Sequence, residues 1–167
     1  VTVAVDTIAY VIGGLGIAIE WRAYALQSGQ QFRRWSALGA LLWAVQYLLL
    51  NAVTAGLTMG CTAFRTMLSD GWEKAFVKHS LATGFVALFG LLTYLSWQGL
   101  VSLLPAFAVI NTTLALFYLD NRTMRIALVA SSFAWIANDV YWQAWPALLA
   151  ENVAVLINVN TIRKLYR

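Results

Sequence analysis

Asp139 and Glu151 are carboxylates inside long stretches that are otherwise almost wholly apolar. An acid at the centre of a membrane span costs about 2.5–3.5 kcal/mol on insertion scales, so such a residue is a candidate for function. Asp139 belongs to a helical face, because Trp135, Asn138/Asp139 and Trp142 recur at i, i+3/4 and i+7. Trp43, Gln46/Tyr47 and Leu50 form a matching face earlier in the chain. Each face offers an aromatic plate with polar atoms one turn further along. Ring contact plus a few directed hydrogen bonds could hold a small polar solute there. The competing reading is interfacial tryptophan with a polar residue near a helix end, and Trp142 and Trp145 fit an aromatic belt in either case.

Glu151, Val155 and Asn158 share a second face, with Glu151 expected at about the depth of Asp139. Two like charges facing one another in a bundle could share a proton and couple transport to protonation. Glu151 could instead lie in a first helical turn, where an acid favours the helix N-terminus. Gly13, Gly16 and Glu20 form a stripe whose glycines permit close helix approach. Glu20 is then either a gate or solute contact at an inner mouth or the partner of Arg65 or Arg163. Asn158 is a candidate pathway residue, although amides such as Asn158, Asn160 and Asn111 also join helices to one another.

Other chemistries find no support. His79 is the single histidine and Cys61 the single cysteine, so neither a metal-ligand cluster nor an intrachain disulfide is expected. No phosphate-binding loop or nucleophile–base arrangement is apparent, so no catalytic residue, cofactor or metal is assigned. The net charge of +4 has a simpler cause than nucleic acid, since the basic residues fall in short breaks between apolar stretches.

The chain that must position these residues has 167 residues, 61% hydrophobic and 11% charged. A soluble domain carries about 25% charged residues, so lipid is the expected solvent. Spans are expected at about 4–26, 36–51, 52–69, 79–97, 99–119, 124–142 and 146–163. A single helix over 36–69 would be about 50 Å long and would put Arg33 and Arg65 on opposite faces of the membrane, so a hairpin turning at Asn51 is expected. Pro146 marks a helix start. Residues 69–78, with Trp72, Lys74, Phe76 and Lys78, suggest a short interfacial helix. Asp6 stands at the start of the first span with no basic stretch before it, unlike a signal peptide. All eleven Lys and Arg residues can be placed on one side, and the breaks near Asn51, Gln98 and Gln143 carry none. The positive-inside rule then orients the chain N-outside and C-inside.

A shift of 92 aligns Arg33 with Arg125, Trp43 with Trp135, Gln46 with Asn138 and Asn51 with Gln143. Spans 1–3 and 5–7 would form two like-oriented triplets, with span 4 as a linker that allows both to share one orientation. The expectation is an all-α integral membrane protein of one domain, seven helices in a 3+1+3 plan: repeat 1 over about 4–69, linker 79–97 and repeat 2 over 99–163. Parallel repeats of this kind place a site near mid-membrane between the halves.

This plan resembles the SWEET and PQ-loop superfamily of small transporters. More narrowly, Gly13-Gly14-Leu15-Gly16, Trp43-x-x-Gln46-Tyr47 with Leu48–Asn51, and Thr58-Met59 through Arg65 and Leu68 resemble a YgjV-type family of bacterial inner-membrane proteins. The resemblance implies a multi-pass protein of the bacterial inner membrane, in a family without a firmly assigned activity; the two-triplet plan and the polar faces lead to the expectation that it moves a small polar metabolite. SWEET-like proteins place prolines in the hinges of gating helices. Here Pro105 alone could serve, with Gly13 or Gly14 near the matching place and no proline in spans two or six, which argues against sugar transport of the SWEET kind. The expected binding residues are Trp43, Gln46, Trp135, Asn138, Asp139, Glu151 and Asn158, with Glu20 and Pro105 at a gate. The expected partners are membrane lipid, a small metabolite, and a second copy or a membrane complex. The rival readings are an accessory subunit of a membrane complex and an intramembrane enzyme or lipid- or quinone-binding protein.

Overall fold

A computed structural model describes residues 2–25, 29–68, 75–119 and 121–165. Within them lie seven α-helices: α1 (Thr2–Ala25), α2 (Gly29–Leu49), α3 (Val53–Leu68), α4 (Ala75–Leu95), α5 (Leu103–Tyr118), α6 (Asn121–Trp142) and α7 (Trp145–Leu165). A 3-10 turn, Leu100–Ser102, leads into α5. The hairpin expected at Asn51 is present, with α2 and α3 packed on one another.

Several helices start earlier than their apolar stretches. α2 begins at Gly29 rather than 36, and α4 at Ala75 rather than 79. Hydropathy marks the part of a helix that suits hydrocarbon, whereas Gln and Arg are good helix formers and continue the helix beyond it. The expected interfacial helix falls partly on residues 69–74, outside the described residues, while Phe76 and Lys78 lie in the first turn of α4.

Among the described residues, three segments are long and apolar enough to cross a membrane: Ala4–Ala23, Ala75–Leu95 and Leu100–Tyr118. α3 is short, at 16 residues, and α2, α6 and α7 carry polar side chains within their length. Many of those polar side chains point inward. Gln46, Thr58, Ser131, Asn138 and Asp139 are buried, whereas Phe64, Leu91, Phe107, Phe133 and Leu156 are exposed on the outside. The polar-inside, apolar-outside distribution is what lipid demands of a bundle.

The main helix contacts run α1–α2–α3–α5–α6–α7 and back to α1, closing a ring, while α4 packs outside it against α3 and α5. Buried alanines along the helices, among them Ala9, Ala37, Ala44, Ala55, Ala108 and Ala147, let neighbours approach closely.

Connections cluster at two ends. Gln98, between α4 and α5, donates from Nε2 to the Asn51 carbonyl at 2.7 Å, and its Oε1 accepts from the Val53 N–H at 2.8 Å. At the other end His79 stacks on Tyr118, with Nδ1 and the hydroxyl 2.9 Å apart, and the Lys78 ammonium lies over the same ring.

Two of these connections are built alike. α2 and α6 both close with the backbone pattern of a Schellman motif. Ala52 N–H donates to Tyr47 O and Ala144 N–H to Asp139 O, both at 2.8 Å. Asn51 N–H reaches Leu48 O and Gln143 N–H reaches Val140 O in the same way. Asn51 (φ 61°) and Gln143 (φ 55°) occupy the left-handed position that the motif requires.

Candidate functional site

Inside the helix ring is a cavity of about 430 Å³. Trp43 and Trp135 face it from α2 and α6, Glu151 and Asn158 from α7, and Glu20 from α1. Five of the expected residues thus share one cavity. Gln46, Asn138 and Asp139 do not line it. They are fully buried between the cavity and the Asn51/Gln143 end of the bundle, and they fill that end.

Helix geometry explains the division. On α2, Ser36, Gly39, Ala40, Trp43 and Tyr47 follow helical spacing and form one cavity-facing stripe. Gln46 stands one position to the side, against α1 and the start of α7. There a methyl on Gly13 would overlap Gln46 Oε1 and the Pro146 ring. Gly16 lies under the Trp43 indole, where a Cβ would stand 3.1 Å from the ring. The glycine stripe of α1 therefore performs the close approach expected of it.

Tyr47 is the residue that ties the site to its cap. Its hydroxyl donates to Asp139 Oδ1 at 2.6 Å, and its ring stacks on Trp135 with centroids 5.7 Å apart. Asn138 Nδ2 also donates to Asp139 Oδ1, at 3.3 Å. Asp139 Oδ2 and both polar atoms of Gln46 are buried without a hydrogen-bond partner. Tyr47 was legible only as a neighbour of Gln46 on the expected face. The stronger signal is that it occupies the position 92 residues before Asp139.

The acids are held by neutral donors. Trp43 Nε1 donates to Glu20 Oε2 at 3.3 Å, and the Ser132 hydroxyl hydrogen-bonds to Glu151. The expected ion pair of Glu20 with Arg65 or Arg163 does not form. Arg65 bends inward instead of toward the end of α3 and is 4% exposed. Its guanidinium donates to Thr113 Oγ1 at 2.8 Å and to Val109 O at 3.2 Å, and it lies over the Phe89 ring. Glu151 sits beyond the first turn of α7, inside the bundle.

Two of the remaining amides join helices. Asn111 donates to Ala127 O at 2.6 Å and to Ser131 Oγ at 2.9 Å, fastening α5 to α6. Asn158 lines the cavity while its Oδ1 accepts from Arg125 at 3.1 Å. Asn160 is exposed. Pro105 is buried in the first turn of α5, just after the 3-10 turn, away from the cavity lining. Among the described residues no three His, Cys, Asp or Glu side chains converge to hold a metal ion.

No curated protein and no solved structure matches the chain. A family model described as a bacterial inner membrane protein, Imp-YgjV, matches residues 7–167. An apolar exterior, a polar interior and a match over nearly the whole length together place the chain in the Imp-YgjV family of bacterial inner membrane proteins.

Proposed function

We propose that the chain is a multi-pass transporter of a small polar solute in the bacterial inner membrane. The observation that carries this reading is the cavity of about 430 Å³ within the helix ring, lined by aromatic rings, carboxylates and hydroxyls. Cavities of roughly 300–1,000 Å³ suit small-molecule ligands. The cavity is shut at the Asn51/Gln143 end by Gln46, Asn138 and Asp139, and its lining extends through Ser36, Thr66 and Leu116 toward the opposite helix ends.

The reading extends to topology. α1–α3 and α5–α7 are two parallel triplets and α4 is the linker, in one transmembrane domain with its N-terminus outside and C-terminus inside. The repeat is supported by helix starts 92 residues apart, Gly29 with Asn121 and Val53 with Trp145, and by the shared turn geometry. The orientation is supported by the basic ends of the helices, where Arg22, Arg34, Lys78, Arg125 and Arg163 stand, and by the absence of Lys and Arg near Asn51, Gln98 and Gln143. Likeness to the SWEET and PQ-loop transporters belongs to the same proposal. Rocking of the triplets about the site would give alternating access.

A thermal-shift screen of the purified protein against small metabolites tests the site. A genuine solute raises the unfolding temperature of the wild type, and Glu151→Gln and Asp139→Asn reduce both that shift and the uptake of the same solute into proteoliposomes. Unchanged binding and uptake in both variants would remove these residues from the site.

A further inference from the structure

The cavity carries its charge unevenly. Glu20 and Glu151 line it alongside Trp43, Tyr47 and Trp135. Asp139 lies behind Tyr47, whose hydroxyl donates to it. Trp43 and Ser132 hydrogen-bond to two of these carboxyl groups, and among the described residues no basic side chain pairs with either. Among the described residues, Arg65 is the one basic side chain of the lining; its neutral partners Thr113, the Val109 carbonyl and the Phe89 face hold it in place but leave its charge, which offsets part of the acidic character.

These surroundings select by charge. An organic cation gains Coulomb attraction from the acids and quadrupole attraction from the rings, and both strengthen where water is excluded. A carboxylate or phosphate solute placed between Glu20 and Glu151 would meet like charge, which costs several kcal/mol. A neutral polyol would use the hydroxyls but gain nothing from the acids.

We infer that the cavity binds a small organic ammonium solute, its cationic head between Glu20 and Glu151 and against the rings of Trp43 and Trp135. The inference deepens the transport reading and rests on the same cavity, but binding does not require that the protein transports.

Calorimetric titration of the purified full chain in detergent tests it. The probes are choline and ethanolamine, each set against a neutral analogue, 3,3-dimethylbutan-1-ol for choline and propan-1-ol for ethanolamine. Saturable binding of at least one cation is expected, with its neutral analogue weaker by about tenfold or more. Glu20→Gln and Glu151→Gln are each expected to weaken the cation by about tenfold, while Asp6→Asn, outside the cavity, leaves it unchanged. Equal binding of the neutral analogue, unchanged binding in both Gln variants, or no binding of either cation at high millimolar concentration would overturn the inference. The neutral-analogue comparison is made on the wild type, so it holds even if a variant fails to fold. Flux separates the two proposals. Carboxylate-dependent cation binding without uptake into proteoliposomes sinks transport alone, and uptake of a neutral solute without cation binding sinks the ammonium assignment alone.

Discussion

The Tyr47 hydroxyl and Asp139 Oδ1 meet at 2.6 Å, although the two residues are 92 positions apart in the chain. Each also supplies the backbone carbonyl that closes its own helix, Tyr47 O to Ala52 N–H and Asp139 O to Ala144 N–H. Equivalent positions of two similar hairpins thus bond to one another across the bundle. In the proposed repeat such a contact would lie on the axis relating the two triplets; in the structure it marks where α2 and α6 meet at the closed end of the cavity.

Removing the donor should be felt in stability. Tyr47→Phe leaves Asp139 buried with only the longer contact to Asn138, and a loss of about 1–2 kcal/mol is expected. Asp139→Asn keeps an acceptor for the hydroxyl and should lose less. Thermal unfolding in detergent measures both, and the double variant should show a coupling of about 0.5–2 kcal/mol. Strict additivity would mean that the pair does not interact in the folded protein.

Adjacent glycines of α1 should respond oppositely to the same methyl group. At Gly13 it meets Gln46 and Pro146, and at Gly14 it meets open space. Gly13→Ala is expected to destabilise by about 1–3 kcal/mol through overpacking. Gly14→Ala should be neutral or stabilise by up to about 1 kcal/mol through helix propensity. Melting temperatures that fell equally in both variants would show that α1 does not approach α2 as closely as the structure places it.

Gln143 holds a left-handed conformation without the side chain best suited to it. The left-handed region costs a non-glycine residue about 1–2 kcal/mol, offset in part by the greater unfolded-state freedom of glycine. Gln143→Gly should therefore raise stability by about 0.5–1 kcal/mol. Asn51→Gly should gain less, because asparagine tolerates the same conformation. A melting temperature lowered by Gln143→Gly would indicate that the glutamine side chain makes a contact the turn depends on.

Much of this arrangement was legible in the chain itself. Apolar run lengths located the helices, and the alternating basic breaks divided 36–69 into α2 and α3. Helical spacing brought Trp43, Trp135, Glu151 and Asn158 toward one interior. Helix starts were less legible, because Gln30, Gln31, Arg33 and Arg34 are polar yet good helix formers. Arg65 was misread for a physical reason: a charge rule assigns every basic residue to an aqueous surface, whereas Thr113, the Val109 carbonyl and Phe89 together accommodate this one inside. Nothing in the spacing of residues 65, 89, 109 and 113 announces that meeting, which depends on how α3, α4 and α5 pack. Gln46, Asn138 and Asp139 were placed on the correct helices but one step around from the cavity, a difference that only the crossing of α1 and α7 decides.

Alternating access can be tested without knowing the solute. In a Cys61→Ser background, Ala150→Cys places one thiol in the cavity wall. Labelling by a membrane-impermeant maleimide is then compared in right-side-out and inside-out vesicles. A transporter built around this cavity should be labelled from both faces, more slowly from the face closed by Tyr47 and Asp139, and Tyr47→Phe should speed labelling from that face. Labelling from one face only, unchanged by Tyr47→Phe, would contradict transport through this cavity.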